Sequence, residues 1–303
     1  MSSIPRLVQY QGSKRLLASQ ILKYIPNNIH NFIEPFCGMA AMTIATASQR
    51  RAEHYCLNDI NAPLVDLLKE AIETPEQLYN DYNTVWNEQF SFKPDHIHHF
   101  YHIRQRFNDG DTCPANMLYL LARCVKGAVR YSSEGVFNQG MDKRRNGTRP
   151  EAIKINAFGM ANLLKGKVTY SAVDYKEVLE KAQSNDFIYM DPPYQGVSNT
   201  RDCRYISGID FDDFVSTIDD LNKRNINFII SYDGKCGDTS YGKDLPDYLE
   251  CTKIMLRAGK STQATFLGES KITYEALYLS RGLSHLALQN QESFIFEEMN
   301  NGC

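Results

Sequence analysis

Asp191-Pro192-Pro193-Tyr194 is the segment whose residue types are best suited to chemistry. It follows the apolar run 187–190, so a strand delivers it, and its two prolines end the strand ladder and stiffen the turn. A carboxylate and an aromatic ring are then presented at the carboxyl end of a strand, where open α/β sheets bind ligands. An exocyclic amine on a nucleobase is a poor nucleophile, because its lone pair is delocalised into the ring. The Asp191 carboxylate and the backbone carbonyl of Pro192 can each accept one amine hydrogen while Tyr194 stacks on the base, which localises the lone pair as charge develops. The plainer use of the same four residues is a tight exposed turn with no chemistry.

A second group runs from Phe32 through Glu34-Pro35-Phe36-Cys37-Gly38 to Ala41, a strand entering a small-residue turn and then a helix. Gly38 permits close approach of backbone to a ligand, and Asp59 follows about twenty residues on, at the end of the next strand, where a carboxylate can bind ribose hydroxyls. Ala40 stands where such fingerprints usually carry a second glycine. Tyr10-Gln11-Gly12-Ser13-Lys14 opens a helix but lacks the spacing of a phosphate-binding loop, which disfavours a nucleoside triphosphatase.

Charge supplies a third signal. The chain holds 33 Lys+Arg against 36 Asp+Glu, a net of −3, yet residues 123–149 carry seven basic and two acidic side chains, a local net of +5. Glycines, Asn138, Gln139 and Tyr131 lie in the same stretch, which combines flexible backbone, charge and planar hydrogen-bonding groups. A solvated basic loop is the plain alternative. His96, His98, His99 and His102 lack a zinc signature, so no metal site is expected there. Glu292, Glu297 and Glu298 read as a solvated tail.

The elements that must position these residues follow from hydropathy. At 303 residues, 43% hydrophobic and 23% charged, the chain suits one large α/β domain or a core carrying an insert. Leu16, Leu17, Ile21, Leu22 and Ile25 predict one amphipathic helix over 14–25. Strands are expected at 31–36, 54–57, 168–172, 187–190, 227–231, 252–256 and 276–280, with helices at 39–47 and near 211–224. Residues 61–125 read as several helices, with Pro63, Pro75, Pro94 and Pro114 near their starts. The eight cysteines form no C-x-x-C pair and read as reduced core residues. Neither an export signal nor an apolar run long enough for a membrane span is seen, which leaves the cytoplasm as the expected location.

In this order, a lysine-bearing N-terminal motif, Phe36-x-Gly38, an insert holding Val129-Arg130-Tyr131 and Gly135-Val136-Phe137-Asn138, and then Asp-Pro-Pro-Tyr, the chain resembles the Dam-like adenine-N6 DNA methyltransferases from about Tyr10 to about Ser280. The resemblance implies an α/β fold, a Rossmann-like core with a mostly parallel seven-stranded sheet and a mainly helical DNA-recognition insert. The expected division is a catalytic core over 1–60 and 166–285, the insert over 61–165 and a tail over 286–303. It further implies methyl transfer from S-adenosylmethionine to adenine in duplex DNA by base flipping, within a restriction-modification system or a related DNA-marking role. Asp191, Pro192 and Tyr194 would be catalytic, and Tyr10, Lys14, Phe36, Gly38, Asp59 and Asp191 would bind the cofactor. Val173-Asp174-Tyr175 would border the cofactor's adenine, with Asp174 as a helix cap the equal alternative. DNA would be held by Arg123, Lys126, Arg130, Tyr131, Asn138, Gln139, Lys143, Arg144, Arg145 and Arg149, the enzyme acting as a monomer on DNA and a cognate restriction endonuclease being a possible partner. The rival readings are methylation of RNA adenine or of a glutamine amide, and a catalytically silent DNA-binding protein.

Overall fold

The computed structural model describes residues 4–193, 209–236, 239–240, 243–260 and 272–289. Eight strands are described: β1 (Ile29–Glu34), β2 (Ala52–Asn58), β3 (Val168–Ser171), β4 (Phe187–Met190), β5 (Asn227–Cys236), β6 (Thr239–Ser240), β7 (Thr252–Lys260) and β8 (Ile272–Leu279). Seven of them form a path in the order β3-β2-β1-β4-β5-β8-β7, and the two-residue β6 pairs only with β5. The first five strands of the path are mutually parallel; β8 runs against its neighbours β5 and β7, and β6 against β5. This is a mostly parallel, Rossmann-like sheet. Its order reverses between β1 and β4, and the crevice at such a switch point is where open sheets take ligands.

Helices cover both faces: α1 (Ala18–Ile21), α2 (Ala41–Ser48), α3 (Ala62–Glu73), α4 (Pro75–Ser91), α5 (His96–Asn108), α6 (Pro114–Arg123), α7 (Pro150–Leu164), α8 (Tyr175–Leu179) and α9 (Phe211–Lys223). The two-residue period of a strand sends Phe32 and Phe187 into the apolar cluster shared with α1–α7, where their rings stack at 6.0 Å. Ile33 and Ile188 point the other way, into the cluster closed by α8 and α9. No described helix is long and apolar enough to cross a membrane.

Three local expectations change. Residues 14–25 form a tight turn at Lys14–Leu16, the short α1 and a second tight turn at Leu22–Tyr24 rather than one helix. With Lys14 drawn inward, three residues per turn leave Leu16 outside, 85% exposed, while Leu17 and Ile21 stay buried. Helix α2 starts at Ala41, not at 39, because Gly38 and Ala40 both take left-handed backbone angles, with φ of 48° and 54°. Pro63, Pro75 and Pro114 fall in first turns, but Pro94 lies outside α5. Asp95 caps that helix instead, accepting from Ile97 N and His98 N.

Candidate active site

The strand ends at the switch point deliver Glu34, Asp59 and Asp191 to one cavity of about 480 Å³. Tyr10, Lys14, Phe36, Gly38 and Tyr131 line it as well. The cofactor residues expected from sequence are therefore brought together. Gly38 is held close against a ring: a Cβ there would lie 3.0 Å from Tyr10 Cε1. Phe36 meets Tyr175 at 5.0 Å between ring centroids, giving the cavity an aromatic wall. Asp174 caps α8 through Lys176 N and also lines the cavity.

Asp191 follows β4, whose four residues are all buried. Its Oδ1 lies 2.6 Å from Lys14 Nζ, and the same ammonium reaches Glu275 Oε1 at 3.2 Å. Burial alone would lower the Lys14 ammonium, but the charges of Asp191 and Glu275 outweigh that, and it is raised above its usual value. Burial pushes the Asp191 carboxyl up, Lys14 draws it back and Glu275 adds to the rise, leaving it at about 6. It is ionised at neutral pH and can accept a hydrogen bond. Glu34 behaves otherwise. Burial pushes it up to about 8 against two hydrogen bonds from Thr43 N and Oγ1, so it is mostly protonated at pH 7.

Tyr194 lies outside the described residues. Pro192 is buried, directly after Asp191. Glu275, Glu34 and Lys176 are site residues that the sequence reading missed. For Glu275 the one available signal was a lone carboxylate in the apolar strand 272–280.

The basic segment divides. Lys126, Arg130, Asn138, Lys143, Arg144, Arg145 and Arg149 are exposed. Arg123 and Gln139 are not, which corrects their expected place on the DNA surface. Arg123 is fully buried, donating to Arg145 O and approaching Met141 Sδ at 3.3 Å. Gln139 turns inward to Val125 O at 3.1 Å. Tyr131 is also buried, its hydroxyl 3.2 Å from Asn61 Oδ1 in the cavity wall rather than on the outer surface. Antiparallel bridges Cys124–Met141 and Tyr131–Phe137 give 124–141 a hairpin form. Gly127 in it accepts from Gln11 N at 3.0 Å, tying the hairpin to the segment that carries Tyr10 and Lys14.

Sheet order, switch-point cavity and the strand-borne Asp191 define a Rossmann-like methyltransferase. The chain belongs to the D12 class N6 adenine-specific DNA methyltransferase family, whose model it matches over residues 10–263. It is 25% identical over 276 residues to the DNA adenine methylase of Vibrio cholerae serotype O1, covering 88% of this chain and 92% of that protein. It is 28% identical over 244 residues to the DNA N-6-adenine-methyltransferase of Escherichia phage P1, covering 75% of this chain but only 30% of the phage protein. With the Type II methyltransferase M.MjaIII of Methanocaldococcus jannaschii it shares 26% identity over 219 residues, 68% of this chain and 74% of the relative.

Proposed function

We propose that this protein transfers a methyl group from S-adenosylmethionine to the exocyclic amino nitrogen of adenine in duplex DNA. The observation that carries the reading is Asp191: a carboxylate at a strand end, opening on the switch-point cavity and ionised at neutral pH.

The cavity fits the proposed donor. Besides the mostly protonated Glu34, its lining holds five aspartates, Asp59, Asp174, Asp191, Asp210 and Asp213, against two ammonium groups, Lys14 and Lys176. Both ammonium groups are already paired, with Asp191 and Asp213. Such a lining favours a cationic ligand. When bound, S-adenosylmethionine supplies an electrophilic methyl carbon on a sulfonium. Asp59 would hold the ribose hydroxyls, and Phe36 and Tyr175 offer aromatic surface to the nucleoside.

On the acceptor side, Asp191 and the Pro192 carbonyl would each take one amine hydrogen, and Tyr194 would stack on the base. The target adenine must leave the duplex to reach them, at a cost of a few kcal/mol for unpairing and unstacking. The exposed Lys126, Arg130, Asn138, Lys143, Arg144, Arg145 and Arg149 would hold the DNA, phosphate contacts setting register and base contacts setting sequence. A restriction-modification or DNA-marking role is supported by the names of the relatives.

The test supplies methyl-labelled S-adenosylmethionine with plasmid DNA, total RNA and a protein extract in separate reactions, digests each product and identifies the labelled nucleoside or amino acid. Label in N6-methyldeoxyadenosine is expected. Label confined to RNA or to glutamine, or binding of DNA with no transfer, would replace this reading with one of its rivals.

A further inference from the structure

We propose that Glu275 is a positioning residue for methyl transfer, acting through Lys14 to fix the Asp191 carboxylate. The inference rests on the function proposed above and extends it to a strand that carries no recognised motif. Three elements meet at one ammonium: the turn that begins at Lys14, the end of β4 and the middle of β8. Lys14 is 6% exposed and the side chains of Glu275 and Asp191 are 14% and 21% exposed, so the three charges interact with little screening by water.

An ammonium bound to Asp191 alone could move with it. Glu275 limits this, because its backbone is paired to Leu256 of β7 on one edge and lies, on the other, opposite the β5 bulge between Tyr232 and Lys235, with both its neighbours, Tyr274 and Ala276, paired to β5. Shifts of this kind re-aim side chains beside active sites. Glu275 also changes the charge count, for one cation now serves two anions. Among the described residues, the other titratable groups that interact with Asp191 include Glu34, on β1, and Tyr189, on β4, whose hydroxyl bonds Ser231 on β5 at 2.8 Å. Neither is a cation, and the Lys14 ammonium is paired with both Asp191 and Glu275.

Removing the Glu275 charge while keeping an acceptor for Lys14 must therefore ease ionisation of Asp191. In Glu275→Gln the acid limb of the pH–kcat profile should move to lower pH, with KM for S-adenosylmethionine within twofold of wild type. Glu275→Asp keeps the charge but draws it back from Lys14. It should leave the limb near its wild-type pH and lower kcat about tenfold, again with KM little changed.

An unmoved limb in Glu275→Gln overturns the proposal, even if that variant melts at a lower temperature, since a purely structural glutamate would do only the latter. If Glu275→Gln fails to fold, Glu275→Asp decides: wild-type kcat overturns, and a selective loss of kcat supports. Wild-type protein assayed in parallel separates the two levels of argument. No transfer to adenine by wild type removes both readings, whereas transfer by wild type with unaltered variants removes this one alone.

Discussion

The Gly38 amide donates to Asp59 Oδ2 at 2.9 Å, fastening the turn after β1 to the end of β2. The other oxygen of Asp59 accepts from Asn61 N at 3.0 Å. A carboxylate offers about four lone-pair positions, so a group held by two backbone amides keeps room for two further donors, which on the reading proposed above are ribose hydroxyls. Ordering before binding reduces what the ligand must supply.

Asp59→Ala should weaken S-adenosylmethionine binding by roughly 10- to 100-fold, the range for losing hydrogen bonds to a charged group. DNA affinity should be unchanged, because Asp59 faces the cavity and the exposed basic residues belong to the insert. Isothermal titration with each ligand checks both halves, and normal cofactor affinity would remove Asp59 from the site.

Asp191→Asn should lower kcat by about 10²–10⁴, the usual contribution of a positioned proton-accepting group, and leave cofactor binding largely intact. In the wild type the raised Asp191 value sets the pH dependence. Protonation removes the negative charge that strengthens those hydrogen bonds and turns one oxygen into a donor, so kcat should fall as pH drops through about 6 and level off above it. A profile flat from pH 5 to pH 8 would argue against the assignment.

Gly127→Ala should be destabilising on two counts. Gly127 has φ of 61°, and a Cβ there would collide with the Gln9 carbonyl oxygen, a backbone atom with little freedom to retreat. A loss of about 1–3 kcal/mol is expected, in the range for a strained backbone position. Denaturant melts measure it, and a larger rise in KM for S-adenosylmethionine than in fully folded surface variants would show the shift reaching Tyr10.

Lys143, Arg144 and Arg145 are exposed, and replacing all three with neutral residues should weaken binding to every DNA sequence alike. The log–log salt dependence should flatten by about 0.9 for each lost phosphate contact. Arg123→Met should behave differently, lowering stability through the loop it holds, with its direct share of the salt slope near zero. Binding isotherms at several salt concentrations separate the two, and an unchanged slope in the triple variant would place the DNA elsewhere.

Asp191, Gly38 and Asp59 were legible because strand-then-turn grammar is local: an apolar run followed by prolines, or by a glycine, sets a residue at a strand end. Strand existence was readable for the same reason, while β5, β7 and β8 run longer than their apolar centres because ladder partners extend them. Arg123 and Gln139 were misplaced since composition reports a charge or an amide without saying which way the backbone turns it. Glu275 was silent because its partner, Lys14, is 261 positions away and only the sheet order brings them together. The single helix expected over 14–25 failed on the same contact, since an inward lysine rewinds the turn it begins.

Phe32 and Phe187 of the sheet share one uninterrupted apolar cluster with Leu64, Tyr82 and Phe137 of the insert, and Val129 and Tyr131 close one side of the cavity. Replacing residues 61–165 as a block would therefore disturb the packing of the sheet and one wall of the cavity in the same operation. On the reading proposed above, changes of DNA specificity are expected in the outward side chains of a frame that must itself be kept.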